Sequence, residues 1–138
     1  MTNAQVEELS SVLPALWNLL GAYARAVDSR DTAAVARLFG HGSGTLALPD
    51  RDVTGDSALA DFVEQAPRGV HVQGVPTVEL VTDGALHVTS NFVFVNAVTY
   101  ALTSGEYSDE IRQGEDGLFF AHRAITIKIR TSDEPPSE

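Results

Sequence analysis

The spacing of apolar residues changes character once along this chain, near residue 70, and that change limits the folds open to it. Before it, Val6, Leu9, Leu13, Leu16, Leu20, Tyr23 and Val27 recur at alternating steps of three and four, one stripe of a helix. Pro14 interrupts the run, so the helix either kinks there or restarts near Ser11. "TAAVARLF" follows as a second helix, with Asp31 as its N-cap and Gly40 behind it. "GTLALP" reads as a strand, and "DSALADFVEQA" (56–66) as a third helix capped by Asp56 or Ser57. From residue 70 the period becomes two, and β-branched and aromatic residues dominate for sixty positions. Strands are expected over 70–82 (broken near Gly74-Val75-Pro76), 85–101, 105–115 and 118–130, with turn signals at "TDG" (82), "TSG" (103) and "EDG" (115). Helices followed by long strands predict an α+β domain, three helices laid on one face of a curved antiparallel sheet. Residues 1–130 suit a single domain, and the polar tail 131–138 reads as disordered.

Composition removes several functions. The chain has no cysteine, which excludes disulfides, thiolate catalysis and cysteine-ligated metal. Its formal net charge is −10, with Lys128 as the single lysine and eight scattered arginines, so neither nucleic acid nor an anionic membrane is expected as a partner. The acidic, polar start is unlike a secretory signal, and a soluble cytoplasmic protein is expected. No His-x-His, HExxH or two-histidine-one-carboxylate spacing occurs within one element, and no metal or other cofactor is expected.

Some side chains stand out against this background. Asp28 closes the first helix at the negative end of its dipole, where a carboxylate loses stability; either solvent offsets that cost or a functional role does, such as a general base. Tyr23, on the buried stripe, either satisfies its hydroxyl on a backbone carbonyl or donates to a substrate oxygen. Asp31 is explained by capping. His71 shares a strand face with Gln73, opposite Val70 and Val72, and its imidazole suits proton transfer near neutral pH. His41 and His87 read as solvent-exposed. Ser90, Phe92, Phe94 and Asn96 share one face of their strand, with Asn91 on the other. His122 and Arg123 lie on opposite faces of the last strand, and the pattern leaves open which is concave.

The order of elements, with "LLGAYARAVDSRDTAAVARLF", "HVQGVPTVEL", "GEYSDEI" and "DGLFFAHRAITIKI", resembles the SnoaL-like branch of the NTF2-like superfamily over roughly residues 8–130. The resemblance implies a cone in which the sheet curls around the long first helix and encloses an apolar cavity. Its members include scytalone and bile-acid dehydratases, ketosteroid isomerases, polyketide cyclases, epoxide hydrolases and non-catalytic binders. By similarity to the dehydratases, Tyr23, Asp28 and His71 form the catalytic set and Tyr107 opens a lining strand. Phe94 stands where those enzymes carry an aspartate partner for the histidine, and Lys128 where they carry a basic residue late in the last strand. The expected activity is a metal-free acid-base lyase or isomerase, a dehydratase or cyclase of secondary metabolism. Its substrate is expected to be apolar, ring-containing or polyketide-like, contacted by Phe92, Phe94, Asn96, Tyr107 and His122. Two alternatives stand beside it: a cyclase or epoxide-opening enzyme using the cavity as a folding template, and a binding or assembly subunit. Because both faces of the long strands are apolar, a homodimer or higher homo-oligomer through the outer sheet face is expected.

Overall fold

A 26-residue helix, α1 (Asn3–Asp28), forms the axis of the molecule in the computed structural model, which describes residues 1–131. Thr2 and Gln5 close a reciprocal capping box at its start. The helix does not restart near Ser11 but runs unbroken through Pro14, which lies on the exposed side, where solvent can replace the donor it lacks. Leu16, Leu19, Leu20, Tyr23, Ala26 and Val27 are buried against the sheet. Asp31 caps α2 (Thr32–Leu38) through the Ala34 N–H at 3.0 Å. The third helix, α3 (Asp56–Gln65), is capped by neither Asp56 nor Ser57; its N-cap is Gly55, which makes no side-chain bond.

The strands are β1 (Thr45–Ala47), β2 (Asp52–Thr54), β3 (Gly69–Gln73), β4 (Thr77–Leu80), β5 (Leu86–Asn96), β6 (Leu102–Gly114) and β7 (Gly117–Arg130). They form one curved sheet in the order β2-β1-β7-β6-β5-β3, with β4 also paired to β5. The sheet is mixed rather than wholly antiparallel, because β1 runs parallel to β7. Gly44 permits that approach: a Cβ there would sit 2.0 Å from the Phe120 carbonyl oxygen. β2 escapes the sequence pattern because three residues with one buried side chain, Val53, carry no period.

"TSG" proves not to be a turn. β6 runs straight through it, and Gly105 is needed for close approach, since a Cβ would lie 2.1 Å from the Thr126 carbonyl oxygen and 3.0 Å from the Phe92 ring. The turn comes earlier, at 97–101, where the Asn96 carboxamide oxygen accepts from the Val98 and Thr99 N–H groups. The core lies between α1 and the concave face of the sheet. No helix among the described residues is long and apolar enough to cross a membrane. The expected disorder of the tail concerns residues outside those described, apart from Thr131.

Candidate active site

Asp28 and His71 meet where the C-terminus of α1 crosses the edge strand β3. Asp28 Oδ1 lies 2.6 Å from His71 Nδ1, and Oδ2 accepts the His71 backbone N–H at 2.9 Å. A carboxylate at this distance fixes the neutral ring with its proton on Nδ1, leaving Nε2 as the acceptor. Both side chains are about one-fifth exposed, so the pair is neither sealed in the core nor freely solvated. The position expected to supply an aspartate from β5 holds Phe94, whose ring packs on the imidazole at 4.6 Å. The histidine thus takes its carboxylate from the helix, and the strand supplies an apolar wall.

His71 opens on a cavity of about 960 Å³, at the upper end of small-molecule sites. Tyr23, Phe92, Phe94, Asn96 and Tyr107, all expected on the sequence pattern or the family resemblance to contact a substrate or act on it, line it. Phe92 and Tyr107 stack at 4.4 Å, and Tyr23 meets Tyr107 edge-on at 5.9 Å. Burial pushes the Tyr23 phenol up to about 12. Burial likewise raises Tyr107, with the neighbouring Tyr23 adding to it. Both stay protonated at neutral pH and are available as donors.

Below this aromatic layer lies a pair that the sequence reading did not assemble. Arg123 and Asp109 are fully buried and joined through Nε–Oδ1 at 2.9 Å and Nη2–Oδ2 at 3.2 Å. The guanidinium carbon sits 3.5 Å from the centre of the Tyr107 ring and 4.4 Å from those of Tyr23 and Phe120. Its positive charge opposes the rise in both phenols, while burial raises Asp109 against the pull of Arg123. Arg123 Nη1 and Ser90 Oγ are buried with no partner among the described residues. The missed signal was parity: Asp109 alternates with Tyr107 and Ile111, all buried. On β7 that signal is scrambled, because pairing slips between Glu110 and Ile111, leaving Ala121 as an extra residue. Phe120 and Arg123, three positions apart, therefore both face inward.

Other expected contacts fall elsewhere. His122 is exposed on the outer face, where it pairs in register with Glu110, and does not line the cavity. Lys128 also points outward, its ammonium 2.9 Å from Glu106. Asn96 reaches the cavity wall, but its carbonyl oxygen is spent on the 97–101 turn. His41 approaches the exposed Asp56 at 3.8 Å, and His87 bonds Ser108 outside the cavity. Among the described residues no three His, Asp or Glu side chains are placed to share a metal ion.

Solved structures of the same shape are numerous. A variant of Rv3472 from Mycobacterium tuberculosis, a protein of unknown function, superposes with a TM-score of 0.80 at 19% identity, covering 89% of this chain and 75% of that one. LinA gives 0.80 at 15% identity and 92% coverage of both chains; its type 2 form is named a hexachlorocyclohexane dehydrochlorinase. A scytalone dehydratase candidate from Novosphingobium aromaticivorans gives 0.74 at 17% identity, over 99% and 94% of the two chains. At these identities the likeness establishes the cystatin-like NTF2 fold alone. No curated protein matches the sequence. The SnoaL-like domain, however, matches residues 14–124, which span both Asp28 and His71, and on that match the chain belongs to the SnoaL-like family.

Proposed function

We propose that this chain is an acid-base enzyme that eliminates water from a β-hydroxy carbonyl compound, or shifts a double bond beside one, within the aromatic cavity. The observation that carries the reading is the imidazole of His71, oriented by Asp28 and opening on an apolar chamber. His71 Nε2 takes the proton next to the substrate carbonyl, and the carbon–hydrogen electron pair moves into the new double bond. The β-hydroxyl departs as water with a proton returned by the imidazolium. Asp28 is the positioning residue that holds the tautomer and stabilises the imidazolium. Tyr23 and Tyr107 donate to the carbonyl oxygen as charge gathers on it. The names of two structural neighbours, a dehydrochlorinase and a dehydratase candidate, both denote eliminations and support the reaction class. The aromatic lining suits an apolar, ring-containing or polyketide-like substrate, and a flexible chain folded on the same wall would give the cyclase variant of the chemistry.

The test is a panel of cyclic β-hydroxy ketones incubated in deuterated water, read by enone absorbance and by deuterium appearing next to the carbonyl. The wild-type protein should give one or both, and His71→Gln neither. Equal product or exchange from His71→Gln would sink the reading. The chain is further proposed to work as a homo-oligomer through its outer sheet face.

A further inference from the structure

The open end of the cavity carries a charge pattern opposite to that of the whole chain. The sequence holds nineteen acidic residues against nine basic ones, yet the cavity lining contains a single acid, Asp50, and two arginines, Arg51 and Arg130. Asp50 is already paired with Arg51 at 3.3 Å. The Arg130 side chain, which lines the cavity, has no ion-pair or hydrogen-bond partner among the described residues. Among the described residues, the mouth of the largely apolar chamber thus presents one positive charge, Arg130, with no acidic partner.

Arg130 faces the cavity because of a defect in the sheet. Gly105 pairs with Ile127 and Ser104 with Ile129, so Lys128 has no partner and the strand carries one residue too many. Without that slip in pairing, strict alternation from the inward-facing Ile125 and Ile127 would bring Ile129 inward and turn Arg130 outward. With it, Ile129 takes the outer face, 63% exposed, and Arg130 pairs with Thr103 on the cavity side. Bulges that re-aim one side chain are common beside functional sites. Thr103 pairs in turn with Phe94, and Phe94 with His71. One cross-strand row, His71-Phe94-Thr103-Arg130, therefore runs from the proposed base to the mouth over three strand spacings, roughly 14 Å along the sheet at ~4.8 Å each.

We infer that the substrate is an amphiphile: a flat polycyclic body lying on Phe94, with a carboxylate at its far end held by Arg130 at the cavity mouth. This rests on the reading of the cavity as a substrate chamber and adds the class of substrate to it. A monoanion fits better than a phosphate dianion, because Arg51 is offset by Asp50 and a single net charge remains. Arg130 is then a specificity-determining residue acting on binding, at a distance from the bond that breaks.

Two fluorescent probes of one shape test this without any turnover: pyrenebutanoate, which carries the carboxylate, and pyrenebutanol, which does not. Anisotropy titrations at low salt should show the acid binding about tenfold more tightly than the alcohol, as one charge-assisted contact at a half-open site allows. Arg130→Gln should bring the two within about twofold, mostly by weakening the acid, since one contact worth a factor of ten is removed. Lys128→Gln, which alters an outward-facing charge, should keep the preference, and thermal melts should confirm that both variants fold. Equal affinities in the wild type, no binding of either probe, or a preference that survives Arg130→Gln would overturn the inference. A protein that prefers the acid yet performs no elimination would sink the enzymatic reading alone.

Discussion

Asp28 holds His71 by two bonds at once, one to the ring nitrogen at 2.6 Å and one to the backbone N–H at 2.9 Å, so a helix terminus fixes both the tautomer of an imidazole and the strand that bears it. Asp28→Asn keeps the volume but cannot accept both hydrogens from its carboxamide. Activity should fall by roughly 10² to 10⁴, since a misassigned tautomer removes the base. Stability should drop by about 1 kcal/mol, the loss of a charge-assisted bond outweighing relief at the helix C-terminus. Considered at the helix end alone, the same change is neutral or stabilising, and β3 is what reverses the sign. Nitrogen NMR of the ring should show Nδ1 protonated in the wild type and a mixture in the variant. An unchanged ring tautomer would contradict the arrangement.

His71→Ala should remove as much activity as Asp28→Asn or more, and the double variant should be little worse than His71→Ala. Residues acting as one unit are not additive. A double variant slower by the product of the two single losses would mean that each acts independently on substrate.

The outer face of the sheet should be covered by a second copy of the chain. Val70, Val72 and Ile129 are each more than half exposed there, beside Val93, Val95 and Leu102, which make a contiguous apolar patch across β3, β5, β6 and β7. Sedimentation at micromolar concentration should find a dimer or larger species, and Val72→Lys should shift it toward monomer. A monomeric wild type would refute the assembly.

How much of this was legible in the sequence follows from which signals are local. α1, the Asp31 cap and the long strands announce themselves through period and turn chemistry; Phe92 and Phe94 share the cavity face that their period gives them, while Tyr23, His71 and Tyr107, which the resemblance singled out, also line the cavity. The role of Asp28 was half legible: its odd position at a helix end marked it, but its partner lies 43 residues away on a strand. The faces of β7 were not legible at all. Two slips of register, leaving Ala121 and Lys128 unpaired, make Phe120 and Arg123, and again Ile127 and Arg130, share a face despite an odd separation. A period-two pattern cannot count residues that pairing omits.

Alkaline stability should carry the signature of the buried phenols. Burial raises Tyr23 from its ordinary 10.0 to about 12 in the folded state, so the native protein holds that proton more tightly than the unfolded chain. The resulting stabilisation is whole below pH 10 and is lost as pH climbs from 10 through 12, up to roughly 3 kcal/mol for this group. Denaturant midpoints measured across that window should fall steeply in the wild type and less steeply in Tyr23→Phe. Parallel curves would show that Tyr23 ionises as freely folded as unfolded.

The Asp109–Arg123 pair should be costly to halve and cheap to remove. Both side chains are fully buried, and the guanidinium fills a slot among the rings of Tyr23, Tyr107 and Phe120. Arg123→Met leaves the Asp109 carboxylate without a counter-charge, and Asp109→Leu leaves the guanidinium equally bare. Each should cost about 3 to 5 kcal/mol in urea titrations at neutral pH. For Arg123→Met the penalty should shrink on mild acidification, because burial already raises Asp109 and losing the arginine raises it further, so protonation relieves the uncompensated charge. The double variant, with two apolar side chains of similar bulk, should recover most of the loss and return to within about 2 kcal/mol of the wild type. Its activity should not recover in step, because the phenols above would sit over an uncharged floor and lose the positive field that offsets their burial. Full activity in a restored double variant would show that the pair only fills space; full stability in either single variant would show that the charges are not buried as the geometry requires.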